Sequence, residues 1–204
     1  MRTLVLIMAL IVCLAGSVSA NRILLAPSGE TLTTGQIRAE AAISPGNDDG
    51  KYFWLGAGLM QLEVSALRFE NSAGDDQDQF SAQWNFLPET MITPAVAFGV
   101  QDVTDNSDDG IAGYAVVTKH LAVGRFNPVI KSLAATAGVG FGGIDGPFFG
   151  LEAKLPYGFF AQAEYDSRDF NAAFGWQPIS ALRLKGYTIR DEFYVGAELQ
   201  PFQF

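Results

Sequence analysis

The sequence predicts an all-β protein: an antiparallel up-and-down transmembrane β-barrel of about 12 strands over residues 35 to 204. Three observations predict it. Apolar residues make up 49% of the chain, yet after Ala20 they are dispersed by strict alternation rather than gathered into a run able to span a bilayer as a helix. The alternating segments are mostly 8 to 11 residues long, near the ~9–11 that a tilted transmembrane strand needs and well above the ~5–6 of soluble sheets. The connections between them fall into two chemical classes by parity, as expected of loops at opposite ends of a barrel.

The N-terminal stretch MRTLVLIMALIVCLAGSVSA has one Arg, a short apolar centre and the small-residue site Val18-Ser19-Ala20. It reads as a secretory signal peptide over residues 1–20, cleaved after Ala20. Cys13 would suggest a lipoprotein, but Val12 is branched where a lipobox needs Gly or Ala. The mature chain then has no cysteine, which removes disulfides, thiol nucleophiles and thiolate metal sites together. Loss of Arg2 leaves 12 basic against 22 acidic residues, a net charge of −10, which argues against nucleic acid as a partner. Residues 21–34 form an N-terminal extension that either hangs free or folds into the pore.

Candidate strands cover 36–44, 51–59, 61–70, 78–87, 91–101, 111–120, 131–142, 147–155, 157–166, 169–176, 181–189 and 192–200. In the fourth, Phe80, Ala82, Trp84 and Phe86 oppose Ser81, Gln83 and Asn85. The same split recurs as Ile37, Ala39, Ala41 and Ile43 against Gln36, Arg38 and Glu40, and as Phe193, Val195, Ala197 and Leu199 against Tyr194, Glu198 and Gln200. One face suits lipid and the other a polar lumen. A closed barrel also meets the bilayer's demand that every backbone N–H and C=O be paired.

The odd connections read SPGNDDG, NSAGDDQD, DVTDNSDDG, GGIDG, DSRD and RDE, and the even ones LMQ, LPET, LAVGRFNPVI, LPYG and QPIS. All 13 Asp residues fall in or at the odd set, and four of the five even connections carry Pro. One mouth is therefore strongly acidic. The stretch DNSDDG from Asp105 to Gly110 resembles the start of an EF-hand, but the twelfth position is Val116 instead of a bidentate Glu, and strand-forming residues follow. It is read as part of the acidic rim, where hydrated loops and cation-bridged lipid contacts are alternative roles. With an even strand count both termini share the even end, which in bacterial outer-membrane barrels is periplasmic. Phe202 and the terminal Phe204 suit recognition by the barrel-assembly machinery, although Pro201 is expected to break the alternation before them.

The stretch GPFFGLEAKLPYGFFAQAEYDSRDFNAAFGWQPISALRLKGYTIRDEFYVGAELQ resembles the YjbH-like outer-membrane barrels associated with exopolysaccharide production. The matching residues are Gly146, Phe148 or Phe149, Glu152, Ala163 to Asp166, Asn171 and Pro178, and Ala26 to Glu30 is similar to that family's mature N-terminus. The resemblance covers about 55 residues. It implies a barrel at the cell surface linked to envelope or exopolysaccharide export, with polysaccharide or export proteins as partners.

Several chemical motifs have bland explanations. Gly138, Gly140 and Gly143 spell G-x-G-x-x-G, but no helix follows to receive a pyrophosphate, so a crowded lumen wall is the better reading. His120, the single histidine, is the one base around which an outer-membrane lipid hydrolase could be built. It falls at the even end of its strand, and no serine and acid partner can be placed beside it. Arg38, Glu40, Glu152, Lys154, Gln162, Glu164, Arg183, Lys185 and Glu198 share the inferred lumen face. They form either a binding strip for a charged or hydroxylated solute or an ion-paired filling of a narrow interior, and their near balance of sign favours the second. The opposite wall, with Ala95, Ala97, Gly99, Ala134, Thr136, Gly138 and Gly140, has little chemistry. The aromatic residues suit the bilayer boundary, with Trp54 and Phe160 placed in the lumen.

The expectation is a non-enzymatic bacterial outer-membrane barrel with a structural or accessory role, in contact with outer-membrane lipid and without metal or cofactor. A narrow porin-like diffusion channel is the alternative, and a lipid hydrolase a lesser one.

Overall fold

The computed structural model describes residues 22–46, 50–70, 76–124 and 126–203. The signal segment 1–20, Asn21, the rim residues Asp48, Asp49 and Asp75, and Phe204 lie outside the described residues. Twelve strands form: β1 (Gln36–Ile43), β2 (Lys51–Leu59), β3 (Leu62–Glu70), β4 (Asp76–Leu87), β5 (Ala95–Gln101), β6 (Ala112–Leu121), β7 (Ser132–Gly142), β8 (Gly146–Lys154), β9 (Phe159–Tyr165), β10 (Phe170–Ile179), β11 (Leu182–Ile189) and β12 (Glu192–Gln203). Each pairs antiparallel with its sequence neighbours, and β1 pairs with β12. The sheet closes without an edge. The protein is an up-and-down transmembrane β-barrel.

Strand ends depart from the sequence reading where proline acts. The fifth strand starts at Ala95, not residue 91, because Pro94 precedes it and Thr90 accepts the N–H groups of Ile92 and Thr93 in a tight turn. The ninth is shorter because Pro156 opens a single 3-10 turn in which Tyr157 takes φ 60°. Pro178 and Pro201 were expected to lie beyond their strands, yet β10 and β12 run through them. Register shifts between Trp176 and Ile179, and opposite Pro201 between Ile37 and Ala39, release each proline from the ladder. Arg190 and Asp191 both have positive φ in the two-residue turn closing β11 and β12, the conformation that matches strand twist.

The two faces separate by polarity. Phe80, Trp84, Phe86, Val64, Val117, Val139, Leu151, Phe174 and Val195 are exposed on the outside, while Gln83, Asn85, Arg38 and Glu198 are buried within. A continuous exposed apolar belt of this extent is incompatible with water and matches hydrocarbon. Among the described residues no helix is long and apolar enough to cross a membrane; the strands do so.

The belt sets a measurable cost. Val117 lies in the outward face of β6 towards its middle, so Val117→Arg should lower unfolding free energy in phospholipid vesicles by about 2–4 kcal/mol. A loss under about 0.5 kcal/mol, the size of an ordinary surface substitution, would contradict lipid exposure there.

Candidate functional site: a plugged lumen

The interior is occupied by the N-terminal extension. Of the two expectations for this segment, the chain takes the one inside the pore: Arg22, Ile23, Leu24, Ala26, Ser28 and Leu32 are all buried. Between Ile23 and Ala26 the backbone turns sharply, with the Ile23 N–H donating to the Ala26 carbonyl at 3.0 Å. Three successive N–H groups thereby point one way. Those of Leu24, Leu25 and Ala26 donate to the Glu164 carboxylate at 2.9, 2.8 and 3.1 Å, and Asn171 Nδ2 adds a fourth bond at 3.0 Å. Consecutive backbone amides make an anion nest, and here the anion belongs to the wall.

Further along, the wall supplies both donors and acceptors. Gly29 N–H donates to Thr118 Oγ1 at 2.8 Å and Leu32 N–H to Glu63 Oε2 at 2.8 Å. Gln83 Nε2 donates to the carbonyls of Ser28 and Glu30, and Asn85 Nδ2 to that of Gly29. The contact at Gly29 is close: a Cβ there would lie 2.8 Å from both the Ala95 carbonyl oxygen and the Thr118 nitrogen. On the facing wall a Cβ on Gly58 would collide with the carbonyls of Leu32 and Thr33. Apolar side chains complete the seat, with Ile23 and Leu24 packing among Tyr52, Trp54, Leu67, Tyr187 and Tyr194, and Ala26 against Tyr114 and Phe148.

The charged residues expected in the lumen face inward, in two groups. Arg38 Nε pairs with Glu198 Oε1 at 2.8 Å, and Lys185 Nζ bridges Glu40 at 2.9 Å and Glu198 at 3.0 Å. Arg183 grips Glu152 through both terminal nitrogens at 3.2 and 2.8 Å, and Gln162 donates to the same carboxylate at 2.7 Å. Lys154 is half-buried at the even end of β8. Glu164 stands apart from the ion pairs, because its partners are the plug's amides rather than a basic side chain. Arg38 lies over the Trp54 ring at 5.0 Å and Arg183 over Phe160 at 4.6 Å, so the two aromatics expected in the lumen back cations, while Tyr52, Tyr114, Phe148, Tyr187 and Tyr194 face inward as well.

Sequence reading missed Glu63, Gln79, Gln83 and Asn85 as site residues. Their inward placement was legible in the alternation, but Glu63, Gln83 and Asn85 pair with backbone from a segment with no periodic signal, while Gln79 accepts from Gln101. Opposite the charged strip, Thr118 and Thr136 share a hydrogen bond at 2.7 Å, and a Cβ on Gly138 would collide with the Phe148 ring. That is the crowding expected of this wall.

At the odd mouth the acidic loops are organised by two carboxylates. Asp102, at φ 52°, accepts from Thr104 Oγ1, the Asn106 N–H and both the N–H and hydroxyl of Ser107. Burial opposes its charge, but these bonds outweigh burial and hold its carboxyl below the ordinary range. Asp109 is likewise held low against burial by Arg190, at 2.8 Å, and Arg168. The DNSDDG stretch is thus a capped loop tied across the mouth. Beneath it an open cavity of about 720 Å³ has Leu25, Ala26 and Pro27 of the plug on its lining.

At the even mouth His120 has an acid partner that sequence reading could not place. Its Nδ1 lies 2.6 Å from Glu89 Oε2, in the turn between β4 and β5, and 3.7 Å from Glu30 of the plug. Burial raises the Glu89 carboxyl, but hydrogen bonds from His120 and Lys119 prevail and hold it below the ordinary range.

No family model and no curated protein matches the chain. Among solved structures, two variants of the Rh. blastica porin are similar at 12% identity and a TM-score of 0.33, over 74% of this chain. The match spans 55% of each porin chain.

Two outcomes follow from this geometry. Glu198→Ala leaves Arg38 and Lys185 buried without their shared anion, and should cost about 3–5 kcal/mol of unfolding free energy in denaturant. At Asp102 the depressed folded value means that its stabilisation is complete above the unfolded carboxylate value and is lost as pH falls through the folded one. The amide protons of Asn106 and Ser107 should therefore titrate with an NMR midpoint below that of an ordinary Asp, near about 3.9. A midpoint at or above that value would exclude the cap.

Proposed function

We propose that the protein is a non-enzymatic outer-membrane barrel with a permanently plugged lumen, acting as a structural or accessory component of envelope polysaccharide export. The observation that carries this reading is the seat of residues 22–34, where wall side chains accept from the plug's amides at Leu24, Leu25, Ala26, Gly29 and Leu32. A diffusion channel needs a continuous aqueous path, and this segment stands across it. The exopolysaccharide link rests on the resemblance to the YjbH-like barrels in the stretch from Gly146 to Gln200. In this reading the acidic odd mouth faces the exterior and the termini face the periplasm. Outer-membrane lipid surrounds the belt, the signal peptide is removed after Ala20, and Phe204 addresses the barrel-assembly machinery.

A narrow channel is the second reading. A cavity of about 430 Å³ beside the plug, lined by Ser65, Gln79, Ser81, Gln83 and Gln101, shares residues with the outer cavity and marks the side on which a path would open if the plug moved.

Planar-bilayer recording separates the two. The wild-type barrel should be silent, and the double variant Glu164→Ala, Gly29→Val, which removes the nest's anion and adds bulk at the tightest contact, should show ohmic steps while keeping heat-modifiable gel migration. Steady ohmic conductance in the wild type would overturn the plugged reading in favour of the channel.

A further inference from the structure

We propose that Glu30, Glu89 and His120 bind one zinc-class divalent transition-metal ion, which clasps the N-terminal plug to the even mouth of the barrel. The three residues come from separate segments: the plug, the turn between β4 and β5, and the end of β6. One ligand atom from each lies within 4.8 Å of the other two.

The spacing suits a small ion. Donors about 2.0–2.2 Å from a tetrahedral zinc ion stand roughly 3.3–3.5 Å apart. His120 Nδ1 is 2.6 Å from Glu89 Oε2 and 3.7 Å from Glu30 Oε1, so these two distances bracket that separation, and the two carboxylates have oxygens within 4.8 Å of each other. Glu89 is oriented for the task. Its Oε1 is held by Lys119 Nζ at 2.9 Å and the His120 N–H at 2.9 Å, leaving Oε2 turned to the imidazole.

The donor set selects the ion. One imidazole nitrogen with two carboxylate oxygens suits zinc and its transition-metal neighbours, whereas calcium takes six to eight oxygens and magnesium a near-octahedral oxygen shell. Among the described residues, Glu30 and Glu89 against Lys119 leave one net negative charge when the imidazole is neutral, as a ligand must be. Glu30 also lines a small pocket between the plug and the wall, and three protein donors leave the fourth tetrahedral position to water. His120 is the single histidine of the chain, so one variant removes the nitrogen donor.

The metal site stands independently of the barrel's role; only its action as a clasp rests on the plugged reading. The test uses the full chain without a histidine tag, refolded in detergent, stripped with chelator and titrated with zinc by calorimetry. One ion per chain is expected, and His120→Ala and Glu30→Gln should each weaken binding by roughly tenfold or more, while Asp105→Asn at the odd mouth should not change it. Each variant is first checked for heat-modifiable migration, and His120→Gln replaces His120→Ala if that variant fails to fold. Absence of saturable binding in the wild type, or equal binding after loss of His120, overturns the site. Zinc should also slow proteolysis of the plug in the wild type and not in Glu30→Gln. Stoichiometric binding with unchanged proteolysis would overturn the clasp alone, and conductance reports separately on the plug.

Discussion

The structure turns on one requirement: at bilayer depth, every polar group enclosed by the barrel must find a partner inside it. An unpaired amide or charge there costs several kcal/mol. Twelve strands close the ladder and satisfy their own backbone, but they also enclose more space than their inward side chains fill. A second piece of backbone enters that space, and its amides and carbonyls become the debt that the wall must cover. Glu164, Thr118, Gln83, Asn85 and Glu63 meet that demand from four strands of the wall, β9, β6, β4 and β3.

The wall divides accordingly. From β8 round to β1 it satisfies itself through ion pairs, with Arg38, Lys185, Glu40 and Glu198 in one group and Arg183 with Glu152 in another. Pairing of this kind holds charges at low dielectric without adding much net stability, because desolvation consumes most of the Coulombic gain. What it adds is rigidity of shape beside the plug. From β3 to β7 the wall is largely amides, hydroxyls, alanine and glycine, with the Glu63 carboxylate, Leu67 and Val116 among them, and the plug's backbone comes within hydrogen-bonding distance of it. Glu164, on β9, lies within the charged region but turns its carboxylate to the plug. Asn171 on the adjoining β10 donates to it, and Gln162 on its own strand donates to Glu152.

The two mouths differ in the same physical terms. At the odd mouth, Asp102 and Asp109 spend their charge on loop amides and on Arg168 and Arg190, so the acid-rich sequence becomes fixed loop structure and a braced rim. At the even mouth the polar contacts concentrate where Lys119, His120 and Glu89 meet Glu30 of the plug. The plug is thus held near both ends of its path, by Glu164 towards the odd side and by the even-mouth cluster at Glu30.

Much of this was legible in the sequence. A period of two over segments of membrane-spanning length pointed to the barrel, to about twelve strands and to the residues that face lipid, since a strand's side chains must alternate whatever surrounds them, and the structure set the count at twelve. The parity of the connections determined that acid gathers at one mouth. The inward placement of Arg38, Glu40, Arg183, Lys185 and Glu198 followed from the same alternation. Only the tertiary structure decided what those inward groups touch. Residues 22–34 carry no period, because a segment enclosed on all sides has no polar face to alternate with, and so nothing in its pattern showed that it enters the lumen. Closure of β12 on β1 brings residues more than a hundred positions apart into contact, and the partners of Glu164 and His120 depend on that closure and on the course of the enclosed chain.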